Sequence, residues 1–94
     1  MSGGYFDYQD YRLDEFAGLI DELITDQEDP EYQHERYSAE TLLIFKVTAF
    51  QLRRMAVTVN RIDWLVCGDD GEIEFHERLQ EELEQLTSAN KTGQ

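Results

Sequence analysis

Lys46, Arg53, Arg54 and Arg61, interleaved with Phe50 and Trp64, are the residues of this chain whose types best suit ligand chemistry. Guanidinium forks bind phosphate in bidentate fashion and aromatic rings stack on bases, so the set has the composition of a site for a nucleotide or another anionic signal. Tyr8, Tyr11 and Arg12 would extend that site from the N-terminal side. Against it stands the carboxylate supply: 21 acidic residues face eight Lys and Arg. The expectation is therefore that the central cations pair with acidic neighbours, and that a phosphate would have to displace them. A second cluster is Asp63, Asp69, Asp70, Glu72 and His76, oxygen donors with one imidazole that could hold a divalent ion. The D-x-D-x-D-G spacing of a calcium loop is absent. Asp69 and Glu72 are spaced as a helix capping box, and His76 can sit half-buried, which accounts for the same residues without an ion. A small metal-dependent enzyme centred on Asp63, Asp69 and His76 stays open as the lesser alternative. The sequence has no P-loop, no dinucleotide fingerprint and no Ser or Cys nucleophile arrangement, so a binding protein without catalytic residues, cofactor or resident metal is expected.

Charge is sorted along the chain. Residues 1–40 carry twelve acids and two bases, residues 41–68 one acid and four bases, and residues 69–94 eight acids and two bases, for a net charge of −13. An apolar, weakly cationic middle between two acidic flanks predicts a central element clasped by its neighbours, with carboxylates turned outward. The balance argues against direct binding of DNA, RNA or anionic membrane, where each phosphate contact needs a cation to displace counterions. Ninety-four residues make one small domain, of a size at which a second subunit often supplements the core, and a homodimer is expected. A single cysteine, Cys67, excludes an internal disulfide. No secretory leader or uncharged apolar span is read, so a cytoplasmic setting is expected.

The elements follow from periodicity. Residues 1–12 are an aromatic lead-in whose Tyr5, Phe6, Tyr8 and Tyr11 could grip a partner or fold over the core as a lid. Leu13, Phe16, Leu19, Ile20, Leu23 and Ile24 recur at helical spacing and predict a helix over 13–25, followed by a loop over 26–37 that holds Pro30. Ser38 offers an N-cap for a long helix over 39–67, uninterrupted by Gly or Pro. A helical wheel places Ile44, Phe45, Ala49, Leu52, Met55, Ala56, Val59, Ile62 and Val66 on one broad arc, read as the core face. Gly68 suits a left-handed C-terminal cap, residues 68–71 form the turn of a helical hairpin, and Ile73, His76, Leu79, Leu83 and Leu86 line a third helix over 72–87. Residues 88–94 read as a loose tail. The fold class expected is all-α, three helices about a long central one. A β-hairpin over 62–75 is the alternative, because Ile62, Trp64 and Val66 alternate and Asp70-Gly71 is a favoured hairpin dipeptide.

The opening Met1-Ser2-Gly3-Gly4-Tyr5-Phe6-Asp7-Tyr8, with Arg61-Ile62-Asp63-Trp64-Leu65, Gly68-Asp69-Asp70-Gly71-Glu72 and Phe75-His76-Glu77-Arg78-Leu79, resembles a family of small proteins associated with bacteriophages and other mobile elements. The matching blocks span about a third of the chain. Tyr5 stands where that family often has a histidine, so no metal or acid-base role carries over to it. The resemblance implies a setting, an accessory protein of a phage or mobile element acting in a host cell, and no activity. Joined to the charge pattern, it yields the functional expectation of a small acidic protein that binds a basic surface of a host protein, such as a nucleic-acid-binding or defence component. It would act there as a stoichiometric inhibitor or nucleic-acid mimic, with Asp14, Asp21, Glu22, Glu74, Glu77, Glu81 and Glu84 as the contact residues.

Overall fold

A computed structural model describes residues 11–32 and 35–92, with side chains to residue 88. Tyr5, Phe6 and Tyr8 of the aromatic lead-in, and His34 in the loop, lie outside the described residues. Three helices follow in order, α1 (Tyr11–Glu28), α2 (Ala39–Val66) and α3 (Glu72–Thr92), and no strand occurs among the described residues. The all-α expectation holds and the β-hairpin over 62–75 is replaced by the end of α2, a turn and the start of α3. The Gly- and Pro-free run before the turn and the Leu spacing after it outweigh a short alternating pattern. No helix among the described residues is long and apolar enough to cross a membrane.

The first helix is longer than its periodicity indicated, starting two residues before Leu13 and ending three after Thr25. The extra turn at its C-terminus is held from outside. Gln27, 8% exposed, donates from Nε2 to the Glu35 carbonyl at 3.1 Å and accepts the Tyr37 amide on Oε1 at 2.8 Å. The Arg36 guanidinium donates to the carbonyls of Gln27, Asp29 and Tyr32 and lies over the Tyr32 ring, so a cation satisfies the carbonyl end of α1 where its last turn has no basic residue. Asp29 Oδ1 accepts the Glu31 amide at 2.9 Å and turns the chain at Pro30. The loop is thereby shortened to residues 29–38.

Ser38 caps α2 as expected, its side chain accepting the Thr41 amide. The other end closes in a Schellman motif: Gly68, at φ +84°, donates to the Leu65 carbonyl and Asp69 to that of Trp64. The capping box is displaced from Asp69 and Glu72. Glu74 Oε1 accepts the Gly71 amide at 3.1 Å, and the Phe75 amide donates to the Gly71 carbonyl, so Gly71 is the N-cap of α3 and Glu74 the residue that reaches back. The Schellman turn consumes Asp69 and Asp70, which moves the N-cap to Gly71 while α3 starts at Glu72, as expected. Residues 88–92 continue α3 rather than forming a tail, since nothing in Ser88-Ala89-Asn90-Lys91-Thr92 breaks a helix.

Both α1 and α3 pack along α2, α1 through most of its length and α3 beside its Arg61 end; among the described residues α1 and α3 do not contact each other. The result is an elongated slab of 50 × 26 × 16 Å with a radius of gyration of 16.2 Å, against about 12 Å for a compact chain of this length. The core is correspondingly thin. Among the described residues its buried apolar side chains are Ala17, Ala49 and Ala56. On α1 the inward seam is Leu13, Ala17, Ile20, Ile24 and Gln27; on α2 it is Leu42, Phe45, Ala49, Leu52, Ala56, Val59 and Asp63, both in alternating steps of three and four. Small residues one heptad apart let the backbones approach closely. The broad arc expected as the core is thus only partly used: Phe45, Leu52, Val59 and Ile62 are half-buried, whereas Ile44, Met55 and Val66 are exposed. Apolar residues cover more than half of the α2 wheel, and the alanine seam decides which part meets α1.

Candidate functional site

The polar centre of the molecule forms where the end of α2, the turn and α3 meet. Arg61, 6% exposed, projects from α2 and places Nη2 3.1 Å from Asp70 Oδ2 and Nη1 3.3 Å from Glu82 Oε2, while its guanidinium lies over the Trp64 ring at 5.0 Å from the centroid. Asp70, also 6% exposed, uses its second oxygen to accept from Arg78 Nη1 at 2.8 Å. One turn residue therefore ties α2 to α3 through two arginines, and Glu82 adds a second contact from α3 to Arg61. The heptad position of α2 beyond Ala56 is Asp63, fully buried, which accepts the Cys67 thiol on Oδ1 at 3.3 Å. This geometry makes a clamp. Its carboxylates are engaged by guanidinium groups, its arginines by carboxylates, and the Arg61 Nε is enclosed without an acceptor among the described residues.

The structure separates the cations that could have formed an anion site. Arg53 pairs with Asp21 of α1 at 2.7 Å and Arg61 with Asp70 and Glu82 near α3, while Lys46 and Arg54 are exposed. From Lys46 to Trp64 the set is strung over about 27 Å of helix rather than gathered around a space. Tyr11, 52% exposed, and Arg12 stand at the start of α1, and Tyr8 lies outside the described residues. The residues considered for a metal also part company. Asp63 is buried beneath Cys67, Asp70 is held by two arginines, and His76 is exposed with its ring edge-on to Phe75 at 5.2 Å. No group of three or more His, Cys, Asp or Glu suited to a metal occurs among the described residues.

Of the seven carboxylates expected on the contact surface, Asp14, Glu22, Glu74, Glu77, Glu81 and Glu84 are exposed. Asp21 is half-buried and spent on Arg53, which removes it from the set. On α3 the half-buried positions are Phe75, Leu79, Glu82, Leu83 and Leu86, and at 100° per residue Glu74, Glu77, Glu81 and Glu84 fall within about 80° of one another on the opposite side. Four carboxylates thus line one stripe over about 15 Å, one per about 5 Å of axis. Glu84 also accepts from Gln80 at 3.2 Å. Beside the stripe, His76, Leu79, Leu83 and Thr87 border an open depression on α3.

Sequence reasoning missed Asp70 and Glu82 as partners of Arg61, Arg78 as the second partner of Asp70, and Gln27 and Arg36 as the fasteners of the first loop. The i, i+4 spacing of Arg78 and Glu82 on one side of α3 was the available signal for the former. Compared with known proteins, the chain matches no family model, no curated protein and no solved structure.

Proposed function

We propose that this chain is a small acidic accessory protein of a phage or mobile element that occupies a cationic groove of a host protein in the cytoplasm, as a stoichiometric inhibitor or nucleic-acid mimic. The observation that carries the reading is the stripe of Glu74, Glu77, Glu81 and Glu84 on the side of α3 turned away from α2, while Arg53, Arg61 and Arg78 are consumed by internal pairs. A single DNA strand places one charge per about 3.4 Å along the axis, within a factor of about 1.5 of the stripe. Asp14 and Glu22 add charge at the other end of the slab.

A protein captured from host extract on the immobilised full chain should elute with salt, because screening shortens the Debye length from about 10 Å at 0.1 M to about 3 Å at 1 M. Replacing Glu77, Glu81 and Glu84 together by Gln should abolish the capture with helix content unchanged. An affinity indifferent to salt, or retained by the triple variant, would refute mimicry.

A further inference from the structure

The side of the α1/α2 hairpin opposite the Asp21–Arg53 pair is apolar and open. On the α1 wheel Asp21 lies about 80° to one flank of the inward seam, while Phe16, Leu19 and Leu23 lie about 60–120° to the other. On α2, Arg53 lies about 65° to one flank, and Ile44, Met55 and Ile62 about 95–115° to the other. Since Asp21 and Arg53 meet at 2.7 Å, their two flanks are the same side of the antiparallel hairpin, and the two apolar flanks share the reverse side. Phe16, Leu19, Leu23, Ile44 and Met55 are each at least 50% exposed there. Trp64 and Arg61, which adjoin α3, belong to the flank of Arg53, so α3 leaves this face uncovered.

We infer that this face is the interface with a second copy of the chain, two hairpins stacking into a four-helix layer. Three observations select a second copy. The first is charge: in a chain of net −13, the sector holding Phe16, Leu19 and Leu23 on α1 and Ile44, Thr48, Met55 and Ile62 on α2 contains no carboxylate and one cation, Arg12 at the start of α1, so an identical face can approach without the acidic repulsion of the rest of the surface. A basic partner would gain nothing from a surface without acids, and it has the α3 stripe instead. The second is the deficit of burial: among the described residues three alanines are the buried apolar side chains, and a second apolar layer supplies what one chain lacks. The third is size: two helices about 10 Å wide and about 27 Å of α2 present on the order of 500 Å² in projection, and more once the side chains interdigitate, close to the 800 Å² per partner of a standard interface.

The test is sedimentation equilibrium of the full chain from about 1 to 500 µM at about 0.05 and 0.5 M salt, with p-benzoylphenylalanine in place of Phe16 or, separately, Ile73 for photocrosslinking. Expected are twice the 11.1 kDa chain mass, tighter association at high salt because net repulsion is screened, and an intermolecular crosslink from position 16 but not from 73. Leu19→Glu should weaken the dimer at least about 30-fold, whereas I73E should leave it unchanged. A monomer across the whole range overturns the inference, as does an intramolecular crosslink from position 16 to residues 1–10, or a dimer crosslinked from 73 alone. If L19E does not fold, the wild-type mass and the crosslinks decide. The opposite salt trends separate this contact from capture of a basic host protein.

Discussion

The two neighbours of α2 are joined to it by different means. Against α1 it uses a dry seam of small residues, Ala17 with Ala49 and Ala56, and one ion pair at the margin, Asp21 to Arg53, with side chains 49% and 33% exposed. Against α3 it uses charge, Arg61 and Asp70 with side chains 7% and 1% exposed, linked to Arg78, Glu82 and Trp64. Close helix approach gives dispersion contacts without directional demands, whereas a buried guanidinium must meet its carboxylates in fixed geometry. The first interface is permissive about register and the second specifies it. That division suits a turn whose two helices meet at few apolar positions.

The largest effect that would break the comparison comes from the clamp. Asp70→Asn leaves Arg61 with Glu82, a partly exposed carboxylate at 3.3 Å, as its one anionic partner among the described residues and should destabilise the fold by about 3 kcal/mol, read as a lower urea midpoint. Replacing Arg61 and Asp70 together by Leu should be less damaging than either change alone; a double variant worse than both singles would show that the pair contributes net stability rather than specificity. In the α1 interface, Ala49→Leu should force α1 outward at a cost of about 1–3 kcal/mol while leaving the Arg61 pairs intact, distinguishable by side-chain NMR of the Trp64 indole. Gly68→Ala should cost about 1 kcal/mol through the backbone alone, because no atom lies within 4 Å of the added methyl and φ is +84°. Smallest is Arg53→Ala: its pair is solvent-screened, and the change should fall below about 1 kcal/mol and vanish in high salt.

Much of this division was legible beforehand. Charge segregation announced that the central arginines would be met by acidic flanks, and Gly68 announced the left-handed cap that ends α2. What could not be read was which carboxylate meets which arginine. Asp70 sits in a run of turn-forming residues where capping is the simplest local explanation, and only the return of α3 brings Arg78 to it and Glu82 to Arg61. The core was misplaced for a related reason. Ile44, Met55 and Val66 are as apolar as Phe45, Leu52 and Val59, and hydrophobicity alone ranks large residues above Ala49 and Ala56; contact between helices ranks them by how near the backbones can come. The cap of α3 shifted by two residues because a Schellman turn extends past the helix it ends.

Because α1 and α3 each pack on α2 and, among the described residues, not on each other, the chain contains two folding units on a common spine rather than one closed shell. Amide exchange should release α3 and α1 on separate time courses, with the middle of α2, which both units need, slowest of all. A ligand gripping the outer side of α3 could then slow exchange in that helix and the adjoining turn while the hairpin keeps its own rhythm. One end of the slab can be occupied without the other registering it.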